Sequence, residues 1–166
     1  MRFACLALLL GLSGCGFHLE GSTPLPAALA VVRVDTSDRQ TDFYFGLRKA
    51  LMAAGTRIDD DVKDGDGAVI HILTDSSPQP RTLTVSTLNV PTEYELTYTV
   101  RFSVTVKGHE VIAPEEHFLV RDYSYSESAQ LAKEREYAIL SQALAHELVS
   151  VVMRRLASLS GSVAHS

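Results

Sequence analysis

The clearest pattern in the chain is a strict alternation of apolar and polar residues between Tyr94 and Lys107. Apolar or aromatic residues occupy every even-numbered position from 94 to 106, and Glu, Thr, Ser, Arg or Lys occupy the odd-numbered positions between and after them. Because successive side chains of a strand point to opposite faces, this period of two predicts a half-buried antiparallel strand. Each fully buried apolar side chain in it contributes roughly 1.5–3 kcal/mol to stability.

Shorter apolar segments predict four further strands, at residues 29–35, 68–73, 82–88 and 118–125. The stretch Asn89-Val90-Pro91-Thr92 is predicted to end the third of these strands. Gly108 is expected to turn the chain directly after the long alternating strand.

Two segments have helical spacing. The first contains Phe43, Leu47, Ala50, Leu51 and Ala54; Ser37 or Asp38 is predicted to cap it, and Gly55 is predicted to end it. The second runs from about 129 to 159, where apolar residues at 140, 144, 148, 152 and 156 form one stripe.

These elements predict an α+β fold. We expect a two-layer sandwich of βαβββα order, with two helices packed on one face of a mixed, mostly antiparallel sheet. That order has one strand fewer than the strand segments identified above. No internal repeat or second domain is evident, so one domain is predicted for residues 29–160, followed by a flexible tail at 161–166.

The N-terminal residues have the layout of a secretory signal. Arg2 precedes the apolar run Phe3–Leu12, which is too short to span the hydrocarbon core of a membrane. The run ends in Leu12-Ser13-Gly14-Cys15, which resembles the bacterial lipobox. That resemblance implies removal of residues 1–14, S-diacylglycerol and N-acyl groups on Cys15, and a lipidated tether over 15–28. A secreted protein with an unmodified cysteine near its cleavage site is the alternative.

Composition limits the partners of the mature chain. Removing Arg2 with the signal leaves 14 basic and 20 acidic residues, a formal net charge of −6. Such a chain has no general attraction to nucleic acid or to anionic lipid. Cys5 leaves with the signal and Cys15 carries lipid, so we expect no disulfide, and stability must come from packing.

The chain lacks a recognisable catalytic or metal-binding motif. None of its six histidines has a partner at metal-ligand spacing, and Ser150 stands where a zinc-protease helix beginning at His146-Glu147 requires its second histidine. The acidic stretch 59–67 fails as a calcium loop, because Val62 and Leu73 would occupy its first and last ligand positions. We therefore predict no enzyme, no metal and no cofactor apart from the covalent lipid, and an ordinary structural role for His71.

Several short motifs together carry a family resemblance. Cys15-Gly16-Phe17-His18-Leu19, Thr92-Glu93-Tyr94-Glu95-Leu96 and Leu131-Ala132-Lys133-Glu134 resemble the LPS-assembly lipoprotein (LptE) family. The resemblance covers essentially the whole mature chain. It implies a non-catalytic lipoprotein that plugs and helps assemble the β-barrel LptD and assists lipopolysaccharide delivery to the outer leaflet. The implied location is the periplasmic side of the outer membrane, which Gly16 after the cysteine also favours.

The resemblance further implies cationic contacts to lipopolysaccharide. The candidates are Arg81, Arg101, Lys107 and Arg121, with the hypothesis that Arg101 and Arg121 share one exposed sheet face; each is equally explained as a solvated strand charge. Glu20 departs from the family, which often has a basic residue there. Two alternatives remain from the sequence: a periplasm-facing lipid carrier, and a pilotin-like lipoprotein for another outer-membrane assembly.

Overall fold

The computed structural model describes residues 25–85, 87, 91–124 and 130–162. A short 3₁₀ turn, Ala27–Leu29, precedes the main elements. The strands are β1 Val31–Thr36, β2 Arg57–Ile58, β3 Ala68–Val85, β4 Pro91–Val106 and β5 His109–Ser124, and the helices are α1 Asp42–Ala53 and α2 Gln130–Ser162. The predicted signal peptide and most of the predicted tether lie outside the described residues.

All five strands form one mixed sheet in the order β2-β1-β3-β4-β5. β1 runs parallel to both β2 and β3, whereas β3, β4 and β5 are joined by antiparallel pairing. One apolar core contains side chains from α1, α2 and a single face of this sheet. The predicted two-layer α+β fold is therefore confirmed.

The predicted order contains four strands, whereas five strand segments were predicted. The structure explains this difference. Residues 68–73 and 82–85 belong to the same strand, β3, which continues through the polar stretch between them with register shifts against β4. With the two-residue β2 set aside, the remaining elements follow the predicted βαβββα order. Residues 86 and 88 of the third predicted segment lie outside the described part.

The apolar residues of the alternating strand β4 form part of the core, as predicted. Tyr94, Leu96, Tyr98, Val100, Phe102 and Val104 of β4 are all buried. They pack with apolar residues of both helices, namely Phe43, Leu47 and Leu51 of α1 and Leu144, Leu148, Val152 and Leu156 of α2. A β-carbon at Gly46 would lie 3.1 Å from Val149 Cγ2, so this glycine allows the helices to approach closely.

The predicted cap of α1 was wrong. Thr41 is the N-cap, and its Oγ1 accepts a hydrogen bond from the Tyr44 backbone N–H at 3.1 Å. Asp38 instead accepts from the Gln40 N–H in the preceding turn. The predicted stop is confirmed, because Gly55 follows the helix with φ +87°, a conformation that favours glycine.

Two other elements are longer than predicted. β5 begins at His109 rather than Phe118, because the tight turn at Lys107 and Gly108, both with positive φ, places the following residues directly beside β4. α2 continues to Ser162, two residues into the predicted tail, and residues 163–166 are not described. None of the helices in the described ranges has the length and apolarity needed to cross a membrane.

Candidate functional site

The candidate site is the sheet face that the helices leave uncovered, here called the open face. It comprises the odd-numbered residues of β4 from 95 to 105 and the residues paired with them on β3 and β5. Hydroxyl side chains run along its centre at Thr97, Thr99, Ser103 and Thr105, all of them buried or half-buried. The centre of the open face is thus polar.

Two of the four candidate cations lie on the open face. Arg101 is exposed and has Thr74 and Glu116 as its neighbours on the flanking strands. Arg81 is paired with Glu95, and its Nη1 lies 3.8 Å from the Glu95 carboxylate. An exposed ion pair at that distance contributes little to stability, so Arg81 remains available to an incoming anion.

Arg121 does not share this face, so the hypothesis that it lies beside Arg101 was wrong. Arg121 is paired with Leu96, a core residue, and therefore projects to the helix side of β5. There its Nη2 donates to Glu147 Oε2 of α2 at 2.8 Å. The physical reason is register: Arg101 pairs with Glu116, and residues 116 and 121 have opposite parity on one strand.

Lys107 occupies a third location, in the turn between β4 and β5. Its φ of +49° is unusual for a residue with a side chain, and its backbone N–H donates to the Gly67 carbonyl at 2.8 Å. The four candidate cations therefore do not converge on one cluster. Only Arg81 and Arg101 share a surface, at separate points along the sheet.

The register also locates these cations relative to the N-terminus. β1 enters the sheet with Val32 beside Ala68, which is itself paired with Val106. Lys107 therefore lies at the end where the described chain begins. Arg81 is paired with Glu95, which lies 11 residues along β4 from Val106, about 36 Å away at ~3.3 Å per residue. An anchor preceding residue 25 would attach at the Lys107 end.

His71 connects three strands on the open face. Its Nδ1 lies 3.4 Å from Asp35 Oδ2 on β1, and its Nε2 lies 3.3 Å from Thr105 Oγ1 on β4. The order Asp-His-Thr has the outline of a catalytic triad, but both contacts are long, and the surrounding backbone amides belong to sheet strands rather than to an oxyanion hole. His71 therefore links neighbouring strands, in agreement with the structural role predicted for it.

The acidic stretch 59–67 is held by an arginine. Arg33 Nη1 donates to the Val62 carbonyl and Nη2 to Asp64 Oδ1, each at 2.8 Å. Within the described ranges no group of three or more metal-ligating side chains is present. The depression beside this stretch is lined by Asp61, Lys63 and Asp66 together with Val31, Val62 and Gly67.

A polar cluster between α1 and the sheet was not predicted from the sequence. Asp75 accepts hydrogen bonds from Thr41 Oγ1 and from the Tyr98 hydroxyl, the latter at 2.8 Å. Thr41 thereby links the α1 cap to β3. A tyrosine on the apolar face of an alternating strand was the available signal, because a buried phenol needs a hydrogen-bond partner.

In this cluster the pKa values of both ionisable groups, Asp75 and Tyr98, are raised. Burial raises the pKa of the Asp75 carboxyl above its ordinary 3.8; the hydrogen bonds from Thr41 and Tyr98 oppose that rise, and the charges of Asp38 and Asp42 add to it. Burial, followed by the interaction with Asp75, raises the pKa of the Tyr98 phenol far above its ordinary 10. Tyr98 therefore stays protonated and acts as a donor.

Asp75→Asn is expected to remove one component of the pH dependence of stability. Because the pKa of Asp75 is raised in the folded protein, its favourable contribution is fully present below about pH 3.8 and is lost as pH rises through the raised value. Asparagine carries no charge at any pH and has no such loss. Urea unfolding of both proteins across this range should show the wild type losing stability relative to Asp75→Asn as pH rises.

A second variant tests the assignment. Tyr98→Phe removes a hydrogen bond that lowers the pKa of Asp75, so the pH range of the loss should move upward. A difference between wild type and Asp75→Asn that is constant with pH would contradict the assignment.

Comparisons with known proteins agree with this architecture. A family model described as "LptE: Lipopolysaccharide-assembly" matches residues 29–156. An LPS-assembly lipoprotein LptE from Pectobacterium atrosepticum is 28% identical over 167 residues, covering 98% of this chain and 90% of the relative. One from Yersinia enterocolitica is 30% identical over 161 residues, with 94% and 77% covered. The crystal structure of rare lipoprotein B from Shewanella oneidensis superposes with a TM-score of 0.70 at 27% identity, over 81% of this chain and 99% of that one.

Proposed function

Because the chain belongs to the LptE family of lipopolysaccharide-assembly proteins, we propose that it plugs and helps assemble an outer-membrane β-barrel, LptD, and assists lipopolysaccharide delivery to the outer leaflet. The observation that carries the proposal is the family match over residues 29–156, which spans the sheet and most of both helices. The hydroxyl-bearing centre of the open face supports it, since polar side chains suit the polar interior of a large barrel. The role proposed is non-catalytic.

We further propose that Cys15 carries the lipid anchor on the periplasmic side of the outer membrane. The proposed boundaries are a signal at 1–14, a tether at 15–28 and a domain that begins at 29; the tail predicted from 161 is proposed only for 163–166, because α2 continues to Ser162. Leu29, a fully buried side chain two residues before β1, supports the start of the domain. The ten residue steps from Cys15 to Leu25 span at most about 36 Å, so the proposed anchor would hold the Lys107 end near the membrane.

The proposed partner is testable by affinity purification of the full chain from outer membranes in mild detergent. We expect one large β-barrel protein at one-to-one stoichiometry, identified by mass spectrometry. A lone monomer carrying lipid would contradict the proposal in favour of a lipid carrier, and a different oligomeric partner would contradict it in favour of a pilotin-like role.

For lipopolysaccharide itself, we propose contacts through the open-face cations Arg101 and Arg81. Arg101 is exposed and lies between the hydroxyl-bearing residues Thr99 and Ser103, where a phosphate group would meet both charge and hydrogen-bond donors. Arg121 is assigned no such role, because it pairs with Glu147 on the opposite side of the sheet. Lys107 remains a candidate lipopolysaccharide contact, but it lies in the turn between β4 and β5 and not on this face.

Arg101→Glu is expected to weaken lipopolysaccharide binding by about tenfold or more, because a charge-assisted hydrogen bond is lost and an anion now faces the phosphate. Arg121→Glu is the matched control: it makes the same charge change on the same sheet but on the helix side, and binding should stay within about twofold. Titration of labelled lipopolysaccharide against both purified variants measures the difference. Equal loss in the two variants would indicate a general charge effect and would contradict the contact.

A further inference from the structure

β5 is an edge strand with an open hydrogen-bonding side. It is the last strand of the sheet, and within the described residues it pairs with β4 alone. An edge of this kind presents free backbone N–H and C=O groups that can pair with another extended chain. Natural proteins normally protect such edges with bulges, prolines or charges.

The two halves of β5 differ in this protection. The first half, His109–Pro114, has irregular register against β4 and ends in a proline, which has no N–H to offer. The second half, residues 115–124, pairs with residues 93–102 of β4 without a register shift. It forms a regular edge of about 30 Å at ~3.3 Å per residue.

The side chains of this second half lie alternately on the helix side and on the open face. On the helix side, Glu115 and Arg121 are held by α2 through Arg155 and Glu147. On the open face, Phe118 is 63% exposed and Val120 is 41% exposed. A regular edge with neither bulge nor proline that also exposes two large apolar side chains is the arrangement expected of a docking strand.

We propose that residues 115–122 of β5 bind an extended segment of a partner polypeptide by pairing backbone to backbone as an added strand. The segment would place apolar side chains opposite Phe118 and Val120. It would place cationic side chains opposite Glu116 and Asp122, which flank the apolar pair on the same face.

Charge pairing argues for a partner rather than a second copy of this chain. Antiparallel self-pairing that aligns Phe118 with Val120 also aligns Glu116 with Asp122, which are both acidic. Antiparallel pairing centred on Phe118 places Val120 opposite Glu116, and in-register parallel pairing places each acidic residue beside its own copy. Every one of these registers opposes like charges or loses the apolar match.

The test is site-specific photocrosslinking of the full chain in cells, with the probe introduced in turn at positions 116, 118, 120 and 122. Strand pairing predicts that the crosslinked residue in one partner polypeptide advances by about two for each step of two along β5. A probe at Val111, which is exposed on the irregular half of the same strand, is the control and should not capture that segment.

A paired substitution gives a second measure. Phe118→Lys/Val120→Lys is expected to lower crosslinking from position 116 by about tenfold, whereas Val111→Lys should leave it within about twofold. Crosslinks that scatter, that reach only lipid, or that join two copies of this chain would overturn the proposal.

The outcome is separable from that of the proposed function. If the barrel co-purifies but no stepped crosslinks form, the edge proposal fails and the barrel partnership stands. If stepped crosslinks identify a partner other than a barrel, the edge proposal stands and the proposed partner is wrong.

Discussion

Cys15→Ala is expected to abolish fatty-acid labelling of the protein and to release from the membrane fraction every copy that is not held by the proposed barrel. The thiol sulfur is the atom that would carry the diacylglycerol, and alanine provides no nucleophile in its place. A single acyl chain binds a bilayer with an association constant on the order of 10⁴ M⁻¹, whereas two or three chains anchor a protein stably.

Fractionation and labelling with a radioactive fatty acid would measure this effect. Cys5→Ala is the matched control, because it removes the other cysteine of the chain from within the predicted signal. Labelling should survive in Cys5→Ala and disappear in Cys15→Ala, and membrane retention should be unchanged in Cys5→Ala and reduced in Cys15→Ala. Fatty-acid labelling that persists in Cys15→Ala would contradict the anchor assignment.

The elements predicted correctly are those in which the spacing of apolar residues follows directly from the geometry of a strand or a helix. The alternation from Tyr94 to Val104 places every second side chain in the core, and the spacing by four from Leu144 to Leu156 places one stripe of α2 there. Both patterns report burial on one face, which is the same physical quantity that the fold satisfies.

The predictions failed where pairing, and not side-chain pattern, decides the structure. The stretch between Leu73 and Arg81 consists of polar residues and two prolines. It nevertheless belongs to β3, because β4 lies alongside it. Residues 109–117 show no apolar alternation and still form a strand, because the turn at Lys107 and Gly108 sets them beside β4. Tertiary pairing overrides local preference in both cases.

The same cause explains the outcome for the candidate cations. A single strand shows which residues share its own face, but the face of β5 relative to β4 depends on the register across the bulges near Ile112. That register is absent from the sequence pattern, so the relation between Arg101 and Arg121 was not predictable. The Asp75 cluster was equally hidden, because its partners come from α1, β3 and β4.

Phe102→Ala is expected to lower the free energy of unfolding by about 3–5 kcal/mol. Phe102 is fully buried in the centre of the core, and its ring stacks on that of His117 at a centroid distance of 5.9 Å. Alanine would leave a cavity, and the pairing of Phe102 with Ile72 of β3 and Glu115 of β5 limits how far the backbone can collapse into it. Because domains of this size are stable by only about 5–15 kcal/mol, urea denaturation should show a large shift of the midpoint.

Phe118→Ala is the control, and it separates stability from docking. The two phenylalanines lie on adjacent strands of the same sheet, but Phe118 is 63% exposed on the open face. Its replacement should change the free energy of unfolding by no more than about 0.5 kcal/mol. A loss comparable to that of Phe102→Ala would mean that Phe118 serves packing, and the reason for treating the edge of β5 as a docking strand would be weakened. A stable Phe118→Ala protein leaves the exposure of that ring without a structural purpose, which is the condition the docking proposal requires.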